Sequence, residues 1–539
     1  MALLLRSVAR TEIARSLYRD IFNENDYYYF FVGRTTEWDD EESPPTPIDN
    51  RDQIAAADRN KLFVKQVEPS DVVLGIDRRD WVLNTVYDQY DDAYSPSRTS
   101  NSGASTLEAA TFYVMTDEFN VYKCISNNNN SPSVNKPTGT STATIETDDG
   151  YLWKFMFQVP VADQTKFLTA DYIPVRKVVG AGDPEFDVNG VIDSITIDDG
   201  GSGYTAAPTV VVNGDGQGAV VTASLTAGVV TNLSIDNPGS GYTFAYLTFT
   251  DENTGSGAEA TVTLGGTETD TSHEAVEDSA IPGTIDRIEI VSGGLDYIDG
   301  DAIVSITGDG SDATASLTID GDSGTITGVT ITSQGTNYSF ADVSITQDVG
   351  AGTGATFRAI LSPRGGHGSN AQKELFAKNL LISVNLDNDN ADQFLNNDYR
   401  QLGLIKNPYA YGTSSVYILA SGTTCYIANV GGATYSALVA AGFDAEISVD
   451  SDSNSRLTYI YTEDPGDGTY NAYFLPIIEP TGFASADTIT IAGTAGYAIN
   501  SVSDPEVDNK SGEIIYLDNR LVITRQRDQV EKVRAILKF

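Results

Sequence analysis

The stretch VIDSITIDDGGSGYTAAPTVVV, Val191 to Val212, decides how this chain is read, because it returns three more times. The second copy is VVTNLSIDNPGSGYTFAYLTF, Val229 to Phe249. The third is TIDRIEIVSGGLDYIDGDAIVSI, Thr284 to Ile306, and the fourth TITGVTITSQGTNYSFADVSI, Thr325 to Ile345. Each joins a β-rich run to a Gly- or Asn-containing turn and a tyrosine: Tyr204, Tyr242, Tyr297 and Tyr338. The tyrosines stand 38, 55 and 41 residues apart, the range in which internal repetition means arrayed supersecondary units. Within the copies, Ile195, Ile197, Leu233, Ile235, Ile288, Ile290, Val329 and Ile331 recur at period two, so each strand has one apolar face. The longest interval holds TETDTSHEAVEDSAIPG, Thr267 to Gly283, a polar run that predicts an exposed excursion. Four such units fit a β-sandwich pair, a small barrel or a short stack of two-stranded repeats, and periodicity does not choose among them.

Repetition of this kind builds shape, since an enzyme needs unlike groups converging once. The tyrosines are expected to form the repeat core, each ring capping a unit and each hydroxyl bonded to a turn. Stacking on a glycan is the alternative use of such a ring. The glycines supply positive φ in turns. GGSGY is flanked by strands and lacks a following amphipathic helix, so dinucleotide and P-loop readings fail on context.

The chain has 539 residues, room for several domains with sizeable cores. Its 75 acidic and 33 basic side chains give a formal charge of −42. That field disfavours nucleic acid and anionic membranes and favours basic protein partners. Cys124 and Cys425 are too few for a disulfide framework, and His273 and His367 cannot make a His-rich zinc site. Both histidines sit in loop-like sequence without a serine elbow or H-E-x-x-H context. No catalytic, cofactor or metal residue is marked. The turns at Gly308 to Asp312 and Asp299 to Asp301 depart from EF-hand spacing and are read as solvated turns in preference to weak calcium sites. MALLLRSVARTEIAR is neither a signal peptide nor an anchor, which predicts a soluble product of a cytoplasm.

Along the chain, Ala9, Ile13, Leu17 and Ile21 predict an early helix, its stripe widened by Ala14, Tyr18 and Phe22. A strand is expected over Tyr27 to Val32 and a second helix over Asp52 to Gln66. Strands follow at Ala110 to Met115 and Asn120 to Cys124, then a flexible loop from Asn127 to Thr140. YLWKFMFQVP after Gly150 reads as a core strand, Gly180 to Gly190 as a boundary, and Gly412 to Asn509 as a smaller β module. The last run, SGEIIYLDNRLVITRQRDQVEKVRAILKF, holds two strands able to pair back onto the core.

Several of these segments carry a resemblance. FFVGRTTEW at Phe30, RRDW at Arg78, VYKC at Val121, DGYLWKFMFQVP at Asp149 and YRQLGLIKNP at Tyr399 stand in one order with SGEIIYLDNR and the terminal VRAILKF. Together they resemble the gene product eight family, the baseplate wedge proteins of T-even-like contractile-tailed phages. The resemblance covers roughly Met1 to Arg176, Asn379 to Pro408 and Lys510 to Phe539; the tyrosine repeats and much of Gly412 to Asn509 depart from it. It implies a structural subunit, homodimeric within each wedge of a sixfold assembly, that contacts other wedge proteins and helps transmit the trigger for sheath contraction. It implies no catalysis and a place in the virion tail baseplate after assembly in the host cytoplasm, while the charge and the absence of a marked motif give the expectation of no nucleic acid, no membrane and no cofactor. The alternatives are a host-surface glycan-binding adhesin and a tail-associated polysaccharide depolymerase.

The expected fold is mainly β: a multidomain, β-sandwich-like scaffold with an N-terminal helix and inserted β-repeat modules. Its expected division is 1–180 and 363–411 as core, 181–362 as the four-copy repeat region, 412–509 as a second inserted β region, and 510–539 as strands completing the core. The candidate interface residues are Arg78, Arg79 and Trp81, with Arg400, Arg520, Arg525 and Arg527. Arg and Trp are favoured at protein interfaces, and the opposing reading of Trp81 is a core ring edged by local ion pairs. The basic run Arg520, Arg525, Arg527, Lys532, Arg534 and Lys538 suits either an acidic partner or neutralisation of its own domain.

Overall fold

A computed structural model of the chain describes residues 7–22, 26–176, 191–214, 217–240, 242, 245–250, 255–265, 271–350, 352–386, 398–525 and 531–539. The architecture is mainly β and multidomain, with an N-terminal helix, several small sheets and one closed barrel. It divides into two compact units. One comprises 1–16, 73–381 and 536–539, the other 17–72 and 382–535. The expected boundary at Gly180 to Gly190 lies outside the described residues.

The early helix spans Ser7–Phe22. Its buried apolar side chains are Ala14, Tyr18 and Ile21, whereas Ile13 is 42 % exposed. The buried face is therefore rotated from the Ala9–Ile13–Leu17–Ile21 row towards the residues that only widened it.

In the second unit, five strands order as Ser421–Thr423, Lys61–Gln66, Tyr28–Gly33, Asp398–Lys406 and Glu513–Thr524. All six residues of Tyr28–Gly33 are buried. Gly403 belongs there for want of space: a Cβ would lie 2.1 Å from the Phe31 ring. The helix expected over Asp52 to Gln66 is corrected. It covers only Arg51–Asn60, capped by the Asn50 side chain accepting from the Gln53 N–H, and Lys61–Gln66 is a strand. The reason is the consecutive triplet Leu62, Phe63 and Val64, all buried, which a strand between two neighbours hides on both faces and a single-faced helix does not.

The same unit contains the barrel. Its strands close in the order Tyr426–Val430, Tyr470–Ile478, Asp452–Glu463, Glu446–Val449, Thr488–Ile491 and Thr494–Ser503. Alternate residues fill its interior, among them Ala428, Ile447, Leu457, Phe474 and Ile489, so it is a packed core with no lumen among them.

In the first unit, a four-stranded sheet orders as Tyr113–Met115, Asn120–Ser126, Leu152–Gln158 and Ile145–Glu146. Trp153 is its centre, stacked on Tyr151 at 5.4 Å and met edge-on by Tyr87 at 5.7 Å. The polar run at Thr267 to Gly283 is not simply an excursion. Thr271–Asp278 is a helix against Leu152–Gln158, and Val276 and His273 are fully buried. Its apolar content was too sparse to register as a stripe.

Each repeat copy is three strands, long, short and long. Copy one is Val191–Ser202, Thr209–Gly214 and Gln217–Thr226; copy two is Val229–Ser240, Ala245–Thr250 and Ser256–Gly265. Copy three is Ile285–Leu295, Ile303–Gly308 and Ser311–Ile319, and copy four Ile326–Thr336, Ala341–Thr346 and Thr353–Leu361. Ladders run between copies: first strand with third, third with first, and second with second. Copies three and four repeat this reciprocal pairing. The folding unit is thus the pair of copies, built from two-stranded sheets whose first strands pack face to face.

Candidate docking cleft

Strand Tyr113–Met115 is the outer strand of its four-stranded sheet. The chain at Arg79 to Trp81 runs beside it in parallel, the Met115 N–H donating to the Arg79 carbonyl at 2.7 Å and the Trp81 N–H to the Met115 carbonyl at 2.8 Å. Past this short match the two chains part, and between them lies a cleft of about 640 Å³. Trp81, Met115 and Phe119 give it apolar walls, while Arg78, Asp80, Asp117 and Lys136 line its polar side.

The wall is held by backbone constraint. Thr116 to Phe119 turn the chain into strand Asn120–Ser126, the Phe119 N–H donating to the Thr116 carbonyl at 3.0 Å. Phe119 adopts φ +62°, a region that bulky L residues avoid. It is fixed there because its carbonyl accepts from the Val159 N–H at 2.9 Å. The Trp81 Nε1–H donates to the Ser133 hydroxyl at 3.2 Å, which sets the indole plane. Thr116 also belongs to the lining although it is only 3 % exposed, and its hydroxyl is buried without a hydrogen-bond partner.

The charges of the rim are arranged in two groups. Arg78 donates from Nε to both Asp80 oxygens at 2.9 and 3.1 Å, and from Nη1 to the Thr169 carbonyl at 2.8 Å. Lys136 pairs with both Asp117 and Glu118. The hydrogen bond to Asp117 raises the Lys136 ammonium above its ordinary value and lowers the Asp117 carboxyl below its own. Three carboxylates therefore meet two cations, and the rim carries a net negative charge.

Of the interface candidates, Arg78 and Trp81 come together here. Arg79 turns away: it lies over the Tyr113 ring at 4.6 Å and donates to the carbonyls of Ala110 and Glu108. Arg400 and Arg525 are corrections. Both are buried; Arg400 donates to Glu41 at 2.8 and 3.0 Å and to the Thr35 carbonyl, while Arg525 reaches the Leu386 carbonyl and stands 3.9 Å from Glu531. A guanidinium taken from water needs such partners, so these two are engaged inside their unit. Arg520 is half-exposed, pairs with Asp518 at 2.7 Å and lines a smaller cleft with Lys532 and Arg534. Arg527 lies outside the described residues. Met115, Thr116, Asp117, Phe119 and Lys136 were missed; the turn between two expected strands was visible in sequence, but nothing marked its side chains.

Tyr204, Tyr242, Tyr297 and Tyr338 are 5, 2, 8 and 7 % exposed, so their rings offer no platform to a sugar. The Tyr204 and Tyr297 hydroxyls accept from the N–H groups of Ala258 and Ala355, each at 3.3 Å, across the pair. The acidic turns are likewise occupied: Asp309 accepts from the Ser339 and Phe340 N–H groups and the Ser339 hydroxyl, and Asp301 from the Val349 N–H. Among the described residues no group of three or more His, Cys, Asp or Glu side chains is placed to hold a metal. No helix among them is long and apolar enough to cross a membrane.

Comparison with protein families finds none that matches this chain, and comparison with curated proteins finds none similar to it.

Proposed function

We propose that this chain is a structural subunit of a contractile-tail baseplate wedge: a β-sandwich-like scaffold, dimeric in each wedge, carrying inserted β modules and joining other wedge proteins in a sixfold assembly. On this reading 1–180, 363–411 and 510–539 make the scaffold, and 181–362 and 412–509 are insertions. Its place is the virion tail baseplate, its work is mechanical transmission of the contraction trigger, and catalysis has no part in it.

The supporting observation is how segments distant in sequence meet. Tyr28–Gly33 pairs with Asp398–Lys406, which pairs with Glu513–Thr524, and all three come from the segments whose motifs resemble the wedge family. What lies between them is clasped at its ends. Val191 stands opposite Gly265; the Ser362 N–H donates to the Thr284 carbonyl at 2.9 Å; the Glu506 N–H donates to the Thr423 carbonyl at 2.9 Å. A module whose ends adjoin can enter a scaffold loop without stretching it.

Gold-labelled antibody against residues 191–345, viewed on tailed particles containing this chain, tests the proposal. Label at six positions around the baseplate supports it. Label on fibres or capsid, or none on the particle, overturns it.

A further inference from the structure

We infer that the cleft beside Trp81 is a docking site for a basic, apolar-anchored segment of a partner protein. Two observations point to it independently of the wedge reading. First, the apolar surface does not stop at the cavity. Val82 and Leu83, which follow Trp81, are 56 and 55 % exposed, and Val134, beside the Ser133 that holds the indole, is 48 % exposed. An enclosed small-molecule pocket would bury such side chains around its ligand; an open cleft that continues into an exposed apolar strip suits a length of polypeptide.

Second, the rim selects a sign. Asp80, Asp117 and Glu118 are 51, 77 and 49 % exposed, while Arg78 and Lys136 are each 27 % exposed and already engaged by those carboxylates. An incoming Lys or Arg can share the exposed carboxylates, with its aliphatic stem on Trp81 or Phe119. An incoming acid meets the rim's net negative charge and a chain of formal charge −42. Tryptophan flanked by charged rim residues is also the usual composition of an interface anchor.

The test uses the full chain and three fluorescein-labelled octapeptides, read by anisotropy: (Lys-Leu-Arg-Phe)₂, (Glu-Leu-Asp-Phe)₂ and (Lys-Ser-Arg-Ser)₂. The basic–apolar peptide is expected to bind about tenfold or more tighter than either of the others. Leu83→Ser and Asp117→Asn, both at exposed positions, are expected to weaken it several-fold with the fold intact by circular dichroism, and Trp81→Ala to abolish it. Equal binding of the basic–polar peptide would reduce the effect to attraction by an acidic surface and overturn the proposal. So would binding of the acidic peptide, no binding of any, or binding unmoved by Leu83→Ser and Asp117→Asn. A failure here leaves the particle-labelling result untouched, and a failure there leaves this one standing.

Discussion

The backbone N–H of Glu506 donates to the carbonyl of Thr423 at 2.9 Å, and the Thr423 N–H returns a bond to the Glu506 carboxylate at 3.0 Å. The whole six-stranded barrel thus leaves the five-stranded sheet and rejoins it at one point. Replacing residues 426–503 by a short Gly/Ser linker is therefore expected to leave that sheet folded. The loss includes the contacts of helix Arg51–Asn60 with strand Tyr470–Ile478, a cost on the order of 1–3 kcal/mol. Circular dichroism and limited proteolysis of the shortened chain check this; collapse to aggregate would show the barrel to be integral.

The module formed by copies three and four is tied differently. Asp91, its side chain 1 % exposed, accepts from Arg98, Arg287 and Arg358, and Arg287 also donates to the Tyr90 and Ile125 carbonyls. In the first pair of copies, the tyrosine-aligned positions of Arg287 and Glu289 hold Ser194 and Thr196, and Thr261, paired with Thr196 as Arg358 is with Glu289, stands in the place of Arg358, so this charged key belongs to one pair alone. Asp91→Ala leaves the three guanidinium groups with Glu289 as their shared carboxylate and is expected to cost about 2–3 kcal/mol. The exposed Asp299→Ala should change stability by less than about 0.5 kcal/mol. Urea midpoints of the two variants make the comparison.

Tyr297 separates packing from hydrogen bonding. Tyr297→Phe removes only the hydroxyl that accepts from Ala355 and should cost about 1 kcal/mol. Tyr297→Ala empties the ring's site and should cost about 3–5 kcal/mol. Gly294 makes the same point from the backbone: at φ +64°, a Cβ would lie 2.5 Å from the Thr353 carbonyl oxygen and 2.7 Å from that ring. Gly294→Ala should therefore destabilise the pair even though it adds one methyl group. Chemical denaturation of the three variants orders these costs.

His367 predicts a pH dependence. Burial lowers its pKa below the ordinary value, reinforced by Lys123 and opposed by Asp286, with Glu374 and Tyr90 also facing it. The folded protein therefore prefers the neutral ring, which contributes its full stability above the unfolded value near 6.5. That contribution falls as pH drops below this value towards the folded one. The melting temperature of the wild type should decline from pH 7 to pH 5 more steeply than that of His367→Gln. Parallel profiles would remove His367 as the cause.

The cleft was legible only in part. Arg78 and Trp81 drew notice as residue types suited to interfaces, and both line it. Arg79, in the same tetrapeptide, does not, because its direction is set by Tyr113 and two carbonyls more than 25 residues away in the chain. Arg400 and Arg525 resemble surface cations in sequence, yet Arg400 lies within strand Asp398–Lys406 and Arg525 directly follows strand Glu513–Thr524, and both are buried. Phe119 could not be singled out, since its left-handed backbone depends on a bond to Val159 across the sheet.

The sequence by itself determined the local facts. Alternation at Ile195 and Ile197 made strands, the returning tyrosine marked four equal units, and Asn50 before Arg51 started a helix. These rest on interactions within a few residues, where side-chain period and backbone preference are sufficient. Tertiary structure decided which strands pair, and so that copies fold in twos, that 426–503 closes into a barrel, and that Lys61–Gln66 is a strand. An isolated copy forms no ladder of its own, and its apolar face is equally content against many partners. The choice among partners is made only when distant segments are brought together and every buried N–H and carbonyl must find its bond.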